Sequence, residues 1–341
     1  MASAPLNRPP IILLLGCTAG GKSAVALELA PRLNAEILSV DSMQVYRRMD
    51  IGTAKPTPAE RAAVRHHLID VVEPGESFSV ARFVDLAERA IADITARRRR
   101  VLAVAGTPLY LMGLMYGLFD GPAADAAFRA ELRRRAAREG NAALHAELAH
   151  IDPESADRIH PNDLKRIERA LEVWRATGRP LSEQQQQWSA STLRYPAAVV
   201  GLRRTREDNA HRINARVKQM IEQGLVGEVR SLLAEPAGLG EQARQALGYA
   251  EITAHLGGRL PLDEAIERIK INTRRLAKHQ RTWFRKFPMT TWVDVEADEA
   301  ASSAAARLAT AINQPPTGPQ GDAGTPAIGA IDCPRGGTRS P

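Results

Sequence analysis

An α/β protein, with a P-loop parallel-sheet core and an inserted all-helical domain, is what this sequence predicts, on three observations. Ile11–Leu15 is an unbroken apolar run that enters Gly16-Cys-Thr-Ala-Gly-Gly-Lys-Ser23, and an amphipathic stretch over residues 24–33 follows: strand, glycine-rich loop, helix. Further short apolar runs at 36–40, 101–105 and 197–202 alternate with helical patterns, as the βα repeats of a parallel sheet do. Between residues 119 and 197 such runs are missing and only helical periodicity remains.

The chain has 341 residues, 44% of them hydrophobic, which suggests two domains with ample core. The segmentation expected is a loose N-terminus over 1–10, core over 11–118, helical insertion over 119–197, more core with long basic helices over 198–296, and a disordered tail over 297–341. No run approaches the roughly twenty apolar residues of a membrane span, and MASAPLNRPP lacks an apolar signal core. A cytoplasmic protein without a membrane partner is therefore expected. Two cysteines, Cys17 and Cys333, allow neither a disulfide framework nor a four-cysteine zinc site. Net charge is +7, and residues 158–288 hold 24 Lys and Arg against 14 Asp and Glu. Such a balance favours a polyanionic partner.

Taken in order, the second strand, 36–40, ends at Asp41-Ser42. Residues 43–58 read as a polar loop with Gly52, Pro56 and Pro58. Residues 83–95 have helical spacing, and Arg97–Arg100 reads as a solvated helix end. Val101–Ala105 is the third strand expected and stops at Gly106-Thr107. From 126 to 188 the pattern is helical, broken at Asp152-Pro153, His160-Pro161 and Gly178-Arg179-Pro180. After the strand at 197–202, long helices are expected over 211–233 and 262–287, the second with Trp283 and Phe284 inward. A short last strand is expected over 292–295.

The chemistry starts at the P-loop. Gly16, Gly20 and Gly21 allow positive φ, so that consecutive N–H groups surround an anion, and the helix beginning near Lys22 aims its positive end there. Lys22 adds a charge, and the Ser23 hydroxyl is placed to hold a magnesium ion (Mg2+). Ligands of parallel sheets sit at the carboxyl ends of strands, which brings Asp41 and Thr107 to the loop. The 101–105 strand ends in no acid, unlike the magnesium-binding strand of a hydrolysing NTPase. A transferase with Asp41 as base fits better, although the same position suits a turn cap or a magnesium ligand. Arg212 and Arg216, four apart, share a helix face and can neutralise a leaving diphosphate.

The ordered set GCTAGGKS, VDSMQVYRRMDIGTAKP at 40–56, AGTPLYL at 105–111, IHPNDLKRIERALEV at 159–173, RIxxR at 212–216, LGYAE at 247–251 and KHQRTWFRK at 278–286 resembles the bacterial tRNA dimethylallyltransferases (IPP transferase family). The resemblance implies transfer of a dimethylallyl group from dimethylallyl diphosphate to the exocyclic amine of the adenosine 3′ to the anticodon, in tRNAs reading codons that begin with U. The loop residues Gly16, Thr18, Ala19, Gly20, Gly21, Lys22 and Ser23 would hold the diphosphate rather than ATP, with Mg2+ assisting. Asp41 would take the amine proton, Thr107 would hydrogen-bond near the reacting groups, and Arg212 and Arg216 would offset charge on the departing diphosphate. The partner implied is the tRNA anticodon stem-loop, with its target base flipped out, and the enzyme is expected to be a monomer.

The tRNA-contacting positions implied are Asp41, Ser42, Met43, Gln44, Thr107 and Arg129; Lys165, Arg166, Ile167, Glu168 and Arg169; Arg244, Gln245, Ala246, Leu247, Gly248 and Tyr249; and Lys278, His279, Gln280, Arg281, Thr282, Trp283, Phe284 and Arg285. The sequence departs from the family at Cys17 (usually Pro), Gly20 (usually Ser) and Ala105 (usually Gly), leaving each proposed catalytic group in place. An ATP-dependent small-molecule kinase, with Arg133–Arg135 as a poor lid, is the alternative enzyme reading. A non-catalytic RNA-binding module is the third.

Overall fold

The computed structural model describes residues 8–119, 121–184 and 193–313. It divides into two compact units, the described parts of Met1–Met115 with Leu193–Gln320, and the described part of Tyr116–Thr192, where the sequence reading set the insertion at 119–197.

In chain order the first unit begins β1 (Ile11–Leu15), α1 (Lys22–Arg32), β2 (Ala35–Val40), α2 (Pro58–Ala63), β3 (His66–His67), α3 (Val80–Ala96), β4 (Arg100–Ala105) and α4 (Pro108–Tyr116). The helical segment follows as α5 (Ala126–Glu139), α6 (Asn141–Ile151), α7 (Pro153–Arg158), α8 (Leu164–Thr177) and α9 (Leu181–Gln184). The chain then returns through β5 (Ala197–Arg203), α10 (Arg206–Glu222), α11 (Leu225–Ala234), α12 (Glu241–Arg244), α13 (Tyr249–Leu256), α14 (Leu262–Phe284), β6 (Thr291–Asp294) and α15 (Ala301–Asn313). Among the described residues no helix is long and apolar enough to cross a membrane.

The sheet is parallel throughout, in the order β3-β2-β4-β1-β5-β6. All five β1 residues are buried, which is why that strand reads as continuously apolar: it lies between β4 and β5, inside the sheet. Its register with β4, Ile11↔Val101 to Leu14↔Val104, and that of β2 with β4, ending Val40↔Ala105, bring three carboxyl ends to one edge. There Gly16, Asp41 and Gly106 follow their strands directly.

The structure corrects several expectations. The strand expected as third is fourth, because two-residue β3 pairs with β2 at Ile37↔His66 and Leu38↔His67, too short to leave a periodic signal. Arg97 is not a solvated helix end. It grips buried Glu36 through both oxygens, at 3.1 and 2.7 Å, and His67 Nε2 lies 2.7 Å from the same carboxylate. Arg100 already belongs to β4. The long helix expected over 211–233 is α10 and α11, separated where Gly224 takes a φ of +99°. The sequence places disorder from 297 onward, yet 301–313 form α15, whose Ala304, Ala305 and Leu308 pack with Val25, Ala26 and Leu29 of α1. Residues 314–341, the rest of that expected tail, lie outside the described residues, as do 1–7 of the N-terminus and 185–188 at the end of the expected helical stretch.

The helical unit has its own core, with Leu132, Leu144, Leu148, Ile167 and Leu171 at its centre. Glu172 is buried beside that core and receives Arg129 at 2.8 and 2.7 Å and Arg169 at 2.6 Å.

Candidate active site

The loop between β1 and α1 closes on itself before any ligand is considered. Gly20 N–H donates to Cys17 O at 3.1 Å, and Lys22 Nζ donates to Gly16 O at 2.7 Å and Cys17 O at 3.0 Å. Positive φ falls at Gly16, Ala19 and Gly21 rather than at Gly20. Gly20 is instead packed closely: a Cβ built there would lie 2.9 Å from Cys17 O. α1 begins after Gly21 with no side chain capping it, so its first N–H groups and dipole are left for an anion. Burial lowers the Lys22 pKa to about 8, nearby Arg216 pushes the same way, and Cys17 and Asp41 oppose it. Burial also raises the Cys17 thiol, against Arg281 and Lys22.

Side chains from α10 and its approach hold the loop by its carbonyls. Arg204 Nε donates to Gly20 O at 3.2 Å, Asn209 Nδ2 to Thr18 O at 3.0 Å, and Arg212 Nε to Ala19 O at 2.9 Å. Arg212 and Arg216 lie one turn apart on α10, and burial lowers the pKa of both guanidinium groups, with Asp41 opposing the effect at Arg216. The expected pair is thus brought to the loop, Arg212 by a hydrogen bond and Arg216 beside both Lys22 and Asp41.

Asp41 is placed by the chain that follows it. Its Oδ1 accepts from Met43 N–H at 2.8 Å and Gln44 N–H at 3.1 Å, so the turn-cap reading holds for one oxygen. Oδ2 faces Gly106, where a Cβ would come within 2.6 Å of it. Gly106 and Thr107 N–H groups both donate to Val40 O at 3.0 Å, locking the ends of β2 and β4 together. Thr107 Oγ1 accepts from Ser42 N–H at 2.9 Å and lies 3.2 Å from Ser42 Oγ. Gln44 turns inward, accepting from Ser39 Oγ at 2.9 Å.

The implied tRNA-contacting positions divide. Ser42, Met43 and Gln44 are half-buried beside Asp41. Arg244, Gln245, Lys278, Thr282 and Arg285 are exposed, and Leu247, His279 and Arg281 half-buried. Arg129 and the 165–169 segment belong to the helical unit, where Lys165 is exposed and Arg166 and Arg169 half-buried. Seven of these side chains, Ile167, Glu168, Ala246, Tyr249, Gln280, Trp283 and Phe284, are buried within their own units. Gly248 is buried too, and serves as the N-cap of α13 with a φ of +89°.

Arg204 and Asn209 were missed by sequence reasoning. A signal existed for each, since Arg204 follows the end of β5 and Asn209 lies three and seven residues before Arg212 and Arg216 on the same helix face. Ser23 is exposed in the first turn of α1, and among the described residues no cluster of three or more His, Cys, Asp or Glu could hold a metal ion. The donor set fits an ion carried in by phosphate oxygens, with Ser23 Oγ as the protein's contribution.

Residues 44–287 match the family model described as IPP transferase, and residues 9–73 that described as isopentenyl transferase. A tRNA dimethylallyltransferase of Geobacter metallireducens is 49% identical over 286 residues, covering 83% of this chain and 92% of the relative. One from Methylococcus capsulatus is 48% identical over 307 residues, covering 88% and 98%. Among solved structures, a full-length tRNA isopentenylpyrophosphate transferase from Bacillus halodurans matches with a TM-score of 0.64 at 40% identity, covering 89% of this chain and 97% of the other. A eukaryotic dimethylallyltransferase acting on tRNA matches with a TM-score of 0.74 at 27% identity, covering 88% and 77%.

Proposed function

Because the chain belongs to the IPP transferase family, we propose that it moves the dimethylallyl group of dimethylallyl diphosphate onto the exocyclic amine of the adenosine 3′ to the anticodon, in tRNAs reading codons that begin with U. The observation that supports this best is the shared edge on which an oriented carboxylate, Asp41, a phosphate loop and two arginines meet. The diphosphate lies in the loop against the N-terminus of α1, with Lys22, Arg212 and Arg216 as its cations. Ser23 Oγ would hold a magnesium ion carried in with the diphosphate, and that ion would supply further charge neutralisation. The amine nitrogen of the flipped adenosine bonds to the allylic carbon as the carbon–oxygen bond breaks, diphosphate leaves with the electron pair, and Asp41 takes the amine proton. Thr107 holds the turn at Ser42 next to the entering base. Arg129, Lys165, Arg166 and Arg169, with the exposed members of 244–249 and 278–285, serve the anticodon stem-loop. The protein works in the cytoplasm as a monomer.

The kinase reading is not favoured, since the curated relatives are tRNA dimethylallyltransferases. Labelled dimethylallyl diphosphate, magnesium and an anticodon stem-loop test the reading, with Asp41→Ala in parallel. Label should pass to the RNA with the wild type. The variant should lose about a hundredfold or more of the rate while still binding RNA. Turnover of ATP with no transfer to RNA would overturn the assignment.

A further inference from the structure

One residue of the phosphate loop is held at both its backbone N–H and its carbonyl by buried amides of two different helices. Thr18 N–H donates to Gln280 Oε1 of α14 at 2.7 Å, and Thr18 O accepts from Asn209 Nδ2 of α10 at 3.0 Å. Both side chains are 3% exposed. Asn209 Oδ1 accepts from Arg281 Nη1 at 3.2 Å, which joins the two helices behind the loop. Gln280 reaches further, because its Nε2 donates to Gly106 O at 2.6 Å. Gly106 precedes Thr107, packs on Asp41 Oδ2 and is pinned to Val40 O. A single side chain thus runs from the loop that receives phosphate to the junction that carries Asp41 and Thr107.

Resting on the transferase reading, we propose that Gln280 is a positioning residue for the transfer step, fixing the loop relative to Asp41, with Asn209 as its counterpart at the Thr18 carbonyl. The allylic carbon is located by the diphosphate in the loop, whereas the proton acceptor for the attacking nitrogen sits at the end of β2. These pieces are 23 residues apart in the chain, between Thr18 and Asp41, and a small relative shift spoils the line of attack. A glutamine suits the task because it offers an acceptor to the Thr18 N–H and a donor to the Gly106 carbonyl, whereas an ionised glutamate offers acceptors alone. The Thr18 N–H and, through Cys17 O, the Gly20 N–H are therefore occupied within the protein, and anion binding falls to other amides of the loop and of the α1 N-terminus.

Gln280→Met and Gln280→Glu in the full chain test this. Three quantities are read: kcat and KM with dimethylallyl diphosphate and stem-loop RNA, affinity for inorganic pyrophosphate with magnesium by calorimetry, and amide hydrogen exchange at Thr18. Gln280→Met should lower kcat about ten- to a hundredfold. Pyrophosphate affinity should move by less than about threefold, because the anion keeps the helix N-terminus, and exchange at Thr18 should quicken. Gln280→Glu should keep Thr18 protected, and its kcat relative to wild type should climb as pH falls, because the introduced carboxyl donates to Gly106 O once protonated. A merely structural glutamine would not give that reversal. An unchanged kcat in Gln280→Met, a fall in pyrophosphate affinity matching the fall in kcat, or a pH-independent ratio would overturn the assignment. Wild-type protein that binds pyrophosphate but transfers nothing would instead sink the transferase reading. The tie itself would then be judged on Thr18 exchange in Gln280→Met, upheld if faster and overturned if unchanged.

Discussion

Lys22 carries the charge of the loop at a cost. Burial brings its pKa from 10.5 to about 8, so the folded protein gives up the proton more readily than the unfolded chain does. Between pH 8 and 10.5 the unfolded state therefore holds more protons, and stability owed to this group rises with pH across that window. A bound diphosphate reverses the balance by favouring the charged amine. Binding of pyrophosphate near pH 8 should accordingly take up about half a proton. Calorimetry in buffers of different ionisation enthalpy measures it, and the uptake should vanish in Lys22→Met. Uptake that persists in the variant would assign the proton elsewhere. Lys22 and Asp41 were legible in the sequence because a local pattern surrounds each of them. Gln280 was legible as part of a motif but not in its role, since its partners Thr18 and Gly106 lie 262 and 174 residues away. No periodicity encodes such a contact.

Among the elements, the loop after β2 departs most from its appearance in sequence. Residues 43–58 look like a polar connection, yet the loop is tied at many points. Glu228 of α11 accepts N–H groups of Asp50, Ile51 and Gly52 at 3.0, 2.8 and 3.2 Å, and the Tyr249 hydroxyl at 2.6 Å. Burial, together with that carboxylate, raises the Tyr249 pKa. Lys55 Nζ, buried, donates to Tyr46 O, Asp50 and Asp70 at 2.7, 2.6 and 2.7 Å. The loop in turn receives Gln44 Nε2 at Thr53 O and Ala54 O, each at 3.4 Å, three residues after Asp41. Glu228→Ala removes one acceptor from three backbone donors and a buried hydroxyl. It should lower the unfolding free energy by about 2 to 4 kcal/mol, read from urea unfolding. An unchanged midpoint would mean that Lys55 alone holds the loop. Strand runs and single helices were readable because each carries its own period. The break between α10 and α11 is local, a glycine with a φ of +99° at 224 that helical periodicity passes over, whereas the packing of α15 on α1 depends on a partner distant in the chain that composition does not show.

For the molecule as a whole, the basic surplus over 158–288, joined by Arg129, would give the proposed RNA partner a salt-dependent grip, but these cations would not contribute alike. In the helical unit, Arg129 and Arg169 share Glu172, a carboxylate only 2% exposed, so two cations are held rigidly with a single charge in excess. Lys165, one turn before Arg169 on α8, is exposed. A fixed guanidinium contributes geometry to a phosphate contact, whereas an exposed ammonium contributes mainly charge. Raising monovalent salt from about 50 to 200 mM should weaken stem-loop binding by about tenfold or more. Lys165→Gln should make the slope of log affinity against log salt shallower by about one phosphate's worth. Arg129→Gln should shift the slope by a similar amount and also lower stability by about 1 to 3 kcal/mol, because Glu172 loses a bidentate partner while staying buried. If Arg129→Gln proved as stable as wild type, Arg169 alone would suffice for Glu172, and Arg129 would be held in place by the RNA it binds rather than in advance of it.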